Sequence, residues 1–388
     1  MSDDLYVGRE QSFVKHLILR NYLQRFAQII GQRWPSITYV DCFAGPWQSK
    51  SDDLSDTSFG IAVSELRKAR LSLSQTFQRN VKIRAFFLEE DKEAYERLNA
   101  FAKQQFDMEI MTLNLRLEDA VSEIVDFIKS ENDTFPFILI DPKGWSGFDI
   151  EVIKPLLKLR PGEVLVNFMI EHIRRFVEWD KETNKNSFVR LFGSESFLAK
   201  IYGLQPSERD DVIAQTYLET LKSVGEFEFG SMALVLHPEH DRRFFYLPYV
   251  TRNPKGIEVF KDAEQRTMPA MEQLRARASQ RIRVTRTSQR ELFGTDDSPN
   301  STYFEDLRVR YLTAARDSLY DRLQVSKRLR YDDAWSHALQ WPMVWDSDLK
   351  TWISEWSKDG VLGIEGLKPR ERVPKLGAGH YLCLRDSE

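Results

Sequence analysis

Four times between residues 37 and 141 a short apolar run ends on an acidic residue, and this alternation restricts the available folds more than any other feature. Residues 37–41 (ITYVD) deliver Asp41 into the turn Phe43-Ala44-Gly45-Pro46. Residues 81–88 (VKIRAFFL) run into Glu89-Glu90-Asp91, 109–115 (EIMTLNL) stop before Glu118-Asp119, and 135–140 (FPFILI) end at Asp141-Pro142. Such short, mostly apolar runs suit strands buried on both faces. Between them the apolar spacing lengthens to about 3.6, so 58–73, 92–106 and 120–129 read as helices. A helix at 150–159 and a fifth strand at 163–170 follow. Strands alternating with helices make βαβ units, and hence a parallel sheet with right-handed crossovers. In an open sheet of this kind a ligand occupies the crevice beyond the carboxyl ends of the strands, where the four acidic tips gather.

The flanking segments complete the fold class. Residues 12–33 place Phe13, Leu17, Leu19, Tyr22, Leu23, Phe26 and Ile30 on one helical face, with Ser12 as the expected N-cap and an end near Gly31. Residues 231–236 and 244–250 flank a polar turn, His237 to Arg242, and read as an antiparallel hairpin closing the sheet. Helices are expected at 304–327, 332–340 and 345–358. Two short strands follow, joined by a turn with Arg370, Arg372 and Lys375. That order suggests a winged helix-turn-helix, a common nucleic-acid module, although a small helical domain for oligomerisation or a protein partner has the same helices. The expected fold is therefore α/β: a Rossmann-like sheet of the class I methyltransferase type, mostly parallel with an antiparallel closing strand, plus a C-terminal winged-helix domain. The expected divisions are 1–260 for the sheet domain, 261–300 for a basic helical connector and linker, and 301–388 for the winged helix.

Composition excludes several classes. No apolar run approaches the roughly 18 residues that span a bilayer, and the N-terminus lacks a signal-peptide pattern, so no membrane partner and a cytoplasmic location are expected. Two cysteines, Cys42 and Cys383, are too few for a disulfide framework, and the six histidines show no metal spacing, so no structural metal is expected. A nicotinamide-linked oxidoreductase would need GxGxxG after the first strand, where this chain has one glycine. The net charge of -4 conceals a basic stretch: seven arginines, among them Arg275, Arg281, Arg283 and Arg286, stand between 266 and 290 against Glu272 alone. They read either as phosphate contacts or as a solvated helix face paired with the acidic N-terminal domain.

In this layout Asp41 and the backbone of Phe43, Ala44, Gly45 and Pro46 would hold the methionine end of S-adenosylmethionine, because a carboxylate suits its positive charges and small residues permit close approach. The alternative for Asp41 is an ordinary strand-to-loop turn. Glu89, or Glu90 in its place, would accept hydrogen bonds from the ribose hydroxyls. Asp119 would lie beside the adenine ring, unless it simply caps a helix. Asp141, Pro142 and Lys143 lie nearest to chemistry, since an Asp-Pro at a strand tip can orient a target amino group toward the methyl donor. Trp145 would stack a flipped base or serve as a core or lid aromatic. Methyl transfer from a sulfonium needs alignment more than acid or base, so the lack of a His/Asp dyad is no obstacle.

Taken together, YVDCFAGPW, FFLEED, ILIDPKGWSG and the C-terminal helices with their wing resemble the three-Cys-motif partner family over nearly the whole chain. The matching positions are Lys15, Asp41, Phe43, Ala44, Gly45, Pro46, Glu89, Asp141, Pro142 and Gly144. Trp47 stands where the family more often has Gly, and Lys143 where it often has Phe. The resemblance implies a methyltransferase-like fold, a contribution of Lys15 to the cofactor site, and pairing with a three-Cys-motif protein that looks like a radical-SAM enzyme. Two functions follow as expectations: an S-adenosylmethionine-dependent methyltransferase acting on a DNA or RNA base, or a catalytically silent methyltransferase-like scaffold for that partner.

Overall fold

The computed structural model describes residues 3–46, 49–144, 148–177, 189–193, 200–287 and 301–385. A seven-stranded sheet organises the first two thirds. Its strands are β1 (Ser36–Asp41), β2 (Lys82–Leu88), β3 (Glu109–Leu113), β4 (Thr134–Ile140), β5 (Glu163–Val166), β6 (Phe229–Leu236) and β7 (Arg243–Thr251). The order across the sheet is β3-β2-β1-β4-β5-β7-β6. β1 lies between β2 and β4 and is parallel to both, with Val40 opposite Phe86 on one side and Ile138 on the other. β7 alone runs antiparallel, pairing with β5 and with β6. The mixed, Rossmann-like sheet and its closing hairpin are thus as expected. The direction of winding reverses between β1 and β4, which is where open α/β sheets leave their crevice.

Helices cover the sheet. α1 (Glu10–Gly31) packs on α2 (Ser58–Phe77), while α4 (Leu117–Lys129) meets α5 (Ile150–Leu157), which meets α7 (Pro206–Gly225). α3 (Lys92–Ala102) and the short α6 (Ile170–Val177) complete this part. Local chemistry fixes several starts. Thr57 caps α2 by accepting from the Gly60 amide at 3.1 Å, and Asp91 caps α3 by accepting from the Ala94 amide at 2.9 Å. Gly60 is required there, because a Cβ would stand 2.2 Å from the Leu54 carbonyl oxygen. Beneath the sheet Tyr22, Phe26, Tyr39, Phe137, Tyr249 and Phe260 form a ring cluster. Glu163 is buried against it, accepting hydrogen bonds from Tyr22 and from Thr251.

Three expectations on boundaries change. α1 begins at Glu10 after Arg9, so Ser12 is inside the helix and not its N-cap. β5 ends at Val166, not near residue 170, because the Asn167 amide turns to the Ile140 carbonyl and Phe168 bridges to Tyr246. α8 (Pro254–Thr287) runs unbroken across residues 260 and 261 and packs on α1, β6 and β7. The expected linker at 288–301 lies, up to residue 300, outside the described residues.

The C-terminal unit runs α9 (Tyr303–Ser326), β8 (Arg328–Arg330), α10 (Tyr331–Leu339), α11 (Asp346–Lys358), β9 (Leu362–Glu365) and β10 (Tyr381–Leu384), with sheet order β8-β10-β9. Its core is Leu319, Leu323, Trp335, Trp352, Ile353 and Trp356. The end of α10 and the segment after it dock on β6 and α8: Ser231 donates to the Leu339 carbonyl at 2.6 Å, and Lys261 to the Trp341 carbonyl at 2.8 Å. Glu264, fully buried, accepts from the Met343 amide and the Trp345 indole. Among the described residues no helix is long and apolar enough to cross a membrane.

Candidate active site

A cavity of about 530 Å³ opens at the carboxyl ends of β1, β2, β4 and β5. One wall is the first two turns of α1, with Arg9, Ser12, Lys15 and His16. A second is the turn after β1, with Cys42, Phe43, Gly45 and Pro46. Glu89 and Glu90 follow β2, Leu115 to Glu118 follow β3, and Asp141 to Gly144 follow β4. Asn167, Met169, Phe244 and Phe245 close the far side.

The strand tips are held together by backbone hydrogen bonds that continue the ladder past its ends. The Cys42 amide reaches the Leu139 carbonyl at 3.0 Å, Ala44 reaches Leu88 at 2.7 Å, and Glu89 reaches Leu113 at 3.1 Å. This stitching fixes the turn after β1 against both neighbours, so the cavity floor is rigid main chain. Ala44 is buried in that floor and does not line the cavity.

The acidic run after β2 divides its labour. Asp91 caps α3 and Glu90 is exposed. Glu89 is 4% exposed, with one carboxylate oxygen accepting from the Asp91 amide at 2.8 Å. Of the three it is the buried acid on the cavity wall. Asp119 is exposed in the first turn of α4 and stands off the cavity, whose wall there is Leu117 and Glu118.

Asp41 is 0% exposed and lies behind the wall. Its carboxyl accepts from the Phe43 amide at 3.2 Å, from Ser58 at 2.5 Å and from Tyr39 at 3.4 Å. It ties the turn after β1 to the start of α2. Burial, reinforced by the nearby Asp141 charge and opposed by the Ser58 hydrogen bond, pushes its pKa up to about 7. Asp141 faces the cavity. One of its oxygens accepts from Asn167 at 2.7 Å, and the other pairs with Lys15 at 2.5 Å. Lys143, on the same loop, has its pKa lowered by desolvation, with Glu89 acting against that change. Trp145 lies outside the described residues.

Among the described side chains, Arg275 and Arg281 of α8 do not line this cavity. Arg275 is buried and pairs with Glu272 and Asp241, and Arg281 pairs with Glu10. The side chains of Arg283 and Arg286 lie outside the described part.

Among the lining residues that sequence reasoning does not single out are Asn167, His16, Arg9 and Asp56. Asn167 hides in an over-long fifth strand, although it is one more polar residue at a strand tip. His16 follows Lys15 directly; its ring shares a hydrogen bond with Tyr6 at 2.9 Å, and burial holds its pKa well below the usual histidine value. Arg9 and Asp56 form a buried ion pair 47 positions apart, which no local pattern signals.

No family model and no curated protein matches this chain. It is similar to several solved structures. A Legionella pneumophila protein of the DUF519 family shares 12% identity at a TM-score of 0.39, over 66% of this chain and 91% of that one. An O-methyltransferase from Bacillus cereus, in complex with S-adenosylhomocysteine, shares 14% at 0.29, over 60% and 80%. A Thermobifida fusca protein described as a methyltransferase shares 9% at 0.30, over 60% and 80%. The class I methyltransferase-like sheet is carried by its own strand order, directions and register.

Proposed function

We propose that this chain is an S-adenosylmethionine-dependent methyltransferase acting on a nucleic-acid base, with the cofactor in the strand-tip cavity. The observation that carries the reading is the convergence of Glu89, the Phe43–Pro46 main chain and Asp141 on one hollow at the winding switch. The residues present fit such a cofactor. The volume is within the roughly 300–1,000 Å³ usual for small-molecule sites, and the lining mixes carboxylates with Leu115, Leu117 and Pro46. Glu89 would accept from a pair of ribose hydroxyls, and Leu117 would flank the adenine. Gly45 and Pro46 would let main chain approach the methionine end, while Asp41 shapes that turn from behind.

The bound cofactor would supply an electrophilic methyl group. The chain's task is then to orient a nucleophile in line with it, which Asp141 would do by accepting a hydrogen bond from the target amino group. Lys15 and Asn167 hold the Asp141 carboxylate in place, and Pro142 and Lys143 shape the rim. Support for a nucleic-acid target comes from the C-terminal unit. Its helix-strand-helix-helix-strand-strand order, with the last strand central, is what a winged helix has, and we read 301–388 as one.

A second reading is favoured by one observation: both oxygens of Asp141 already have donors. A scaffold that supports a three-Cys-motif partner without methyl transfer would tolerate that. Calorimetry with S-adenosylhomocysteine tests the cofactor reading. One site per chain is expected, weakened roughly 10- to 100-fold by Glu89→Gln through loss of charge-assisted hydrogen bonds. Absence of binding at millimolar ligand would sink it. Binding without methyl transfer to any DNA or RNA, together with co-purification of the partner, would select the scaffold.

A further inference from the structure

We propose that the exposed face of α11 and the loop between β9 and β10 form a docking surface for duplex DNA, with α11 in the major groove and the loop cations on phosphates. This rests on the nucleic-acid reading above and adds which surface engages the polymer and which polymer it is.

Ser347, Lys350, Thr351, Ser354 and Lys358 are all exposed and recur at spacings of three and four, so they form one stripe along α11. The opposite face, with Leu349, Trp352, Ile353 and Trp356, is buried in the unit's own core. The stripe therefore contributes little to folding yet offers hydroxyls and the Lys358 ammonium, which suit base edges and phosphates, while Lys350 is held by Asp346. Neighbouring carboxylates are committed to cations: Asp348 to Arg308, Glu355 to Arg316, and Asp346 to Lys350. Asp359 is exposed only beyond the helix end.

α11 leads through Gly360 into β9, and the following loop carries Lys368, Arg370 and Arg372. All three are exposed, and none makes an ion pair among the described residues. Lys375 is paired with Glu371. This is the reverse of the α8 arginines Arg275 and Arg281, which are neutralised by carboxylates of the same chain. A guanidinium already paired has little to gain from a phosphate, whereas an unpaired one releases counterions on binding. The major groove of B-DNA, about 12 Å wide, admits a helix, while the deep, narrow major groove of duplex RNA does not, so the surface fits DNA.

The test uses the full chain and a labelled mixed-sequence DNA duplex of 30 base pairs, titrated at several salt concentrations. Replacing Lys368, Arg370 and Arg372 together by alanine should weaken binding at least tenfold. It should also flatten the slope of log affinity against log salt by about 2 to 3, near 0.9 for each lost phosphate contact. Ser354→Glu should weaken binding by a similar factor. A control triple of Arg79, Lys103 and Lys129 to alanine removes the same charge from exposed positions on the sheet domain and should stay within about twofold of the parent. All variants should keep the parent melting temperature and S-adenosylhomocysteine affinity. Unchanged DNA affinity in the loop triple, an equal loss in the control, or tighter binding to duplex RNA or single strands would overturn the proposal. A chain that binds S-adenosylhomocysteine but not DNA would overturn this inference alone. A chain that binds DNA through the loop but not S-adenosylhomocysteine would instead overturn the cofactor reading.

Discussion

Asp41 and Asp141 end adjacent strands of one sheet, and in sequence they look like the same device. Their surroundings separate them. Asp41 is enclosed by neutral donors, Ser58, Tyr39 and the Phe43 amide, with no hydrogen-bonded cation, and burial raises its pKa to about 7. Asp141 looks into the cavity and holds an ammonium and an amide. A carboxyl enclosed by dipoles stabilises a turn; one that faces open volume beside a lysine is available to a ligand. The residue type marks a strand tip, and the partners decide the role.

The largest effect should follow from breaking the pair at Asp141. Asp141→Ala strands the Lys15 ammonium in a site where its side chain is 15% exposed. Losing one partner of a buried pair costs roughly 3–5 kcal/mol, and this site should sit at or below the low end because some exposure remains. Urea unfolding of Lys15→Met, Asp141→Asn and the double variant should give a coupling of about 1–3 kcal/mol. Asp41 paired with Lys15 in the same cycle should couple far less, having no hydrogen bond to it. Equal couplings would erase the distinction between the two tips.

That distinction also marks how far sequence reasoning reaches. Strand order is legible because each buried strand is a short apolar run ended by a polar tip, and the hairpin is legible by its polar turn. Glu89 and Glu90 stay alternatives in one dimension, since both line the cavity, and only burial separates them: Glu89 is buried and Glu90 exposed, while Asp91 caps α3. Asp119 misleads because a first-turn acid and a strand-tip acid are identical in one dimension; the side chains reaching the cavity there are one and two positions earlier. The segment from 171 to 230 yields no element from sequence, since α6 and α7 mix short apolar groups with many charges. The α8 arginines illustrate the same limit. Charge density is read from a sequence, but neutralisation by Glu10 and Asp241, both distant along the chain, is set by tertiary structure.

A smaller effect is expected when Asp41 becomes asparagine, and it should depend on pH. With the folded pKa near 7 and the unfolded one near 3.8, the folded chain retains a proton that the unfolded chain has lost. Stability therefore falls as pH rises through that window and levels off above about 7. Asp41→Asn keeps the shape and removes the titration, so its stability relative to the parent should improve steadily from pH 4 to pH 7. Each tenfold change in proton affinity corresponds to about 1.4 kcal/mol, and loss of the ideal acceptor geometry at Ser58 will subtract from the gain. Unfolding curves at pH 4.5, 6 and 8 measure it. Parallel profiles for parent and variant would show that Asp41 is not the buried acid described above.

The smallest effect is the influence of one tip on the other. The Asp141 charge raises the Asp41 pKa, and the Lys15 charge lowers it. Asp141→Asn should therefore move the Asp41 titration down in pH, and Lys15→Met should move it up, while burial keeps both above the ordinary carboxylate value. Carbon-13 NMR of the Asp41 carboxyl would resolve the two directions. Displacements of the same sign in both variants would mean that a change of packing, not of charge, links the strand tips.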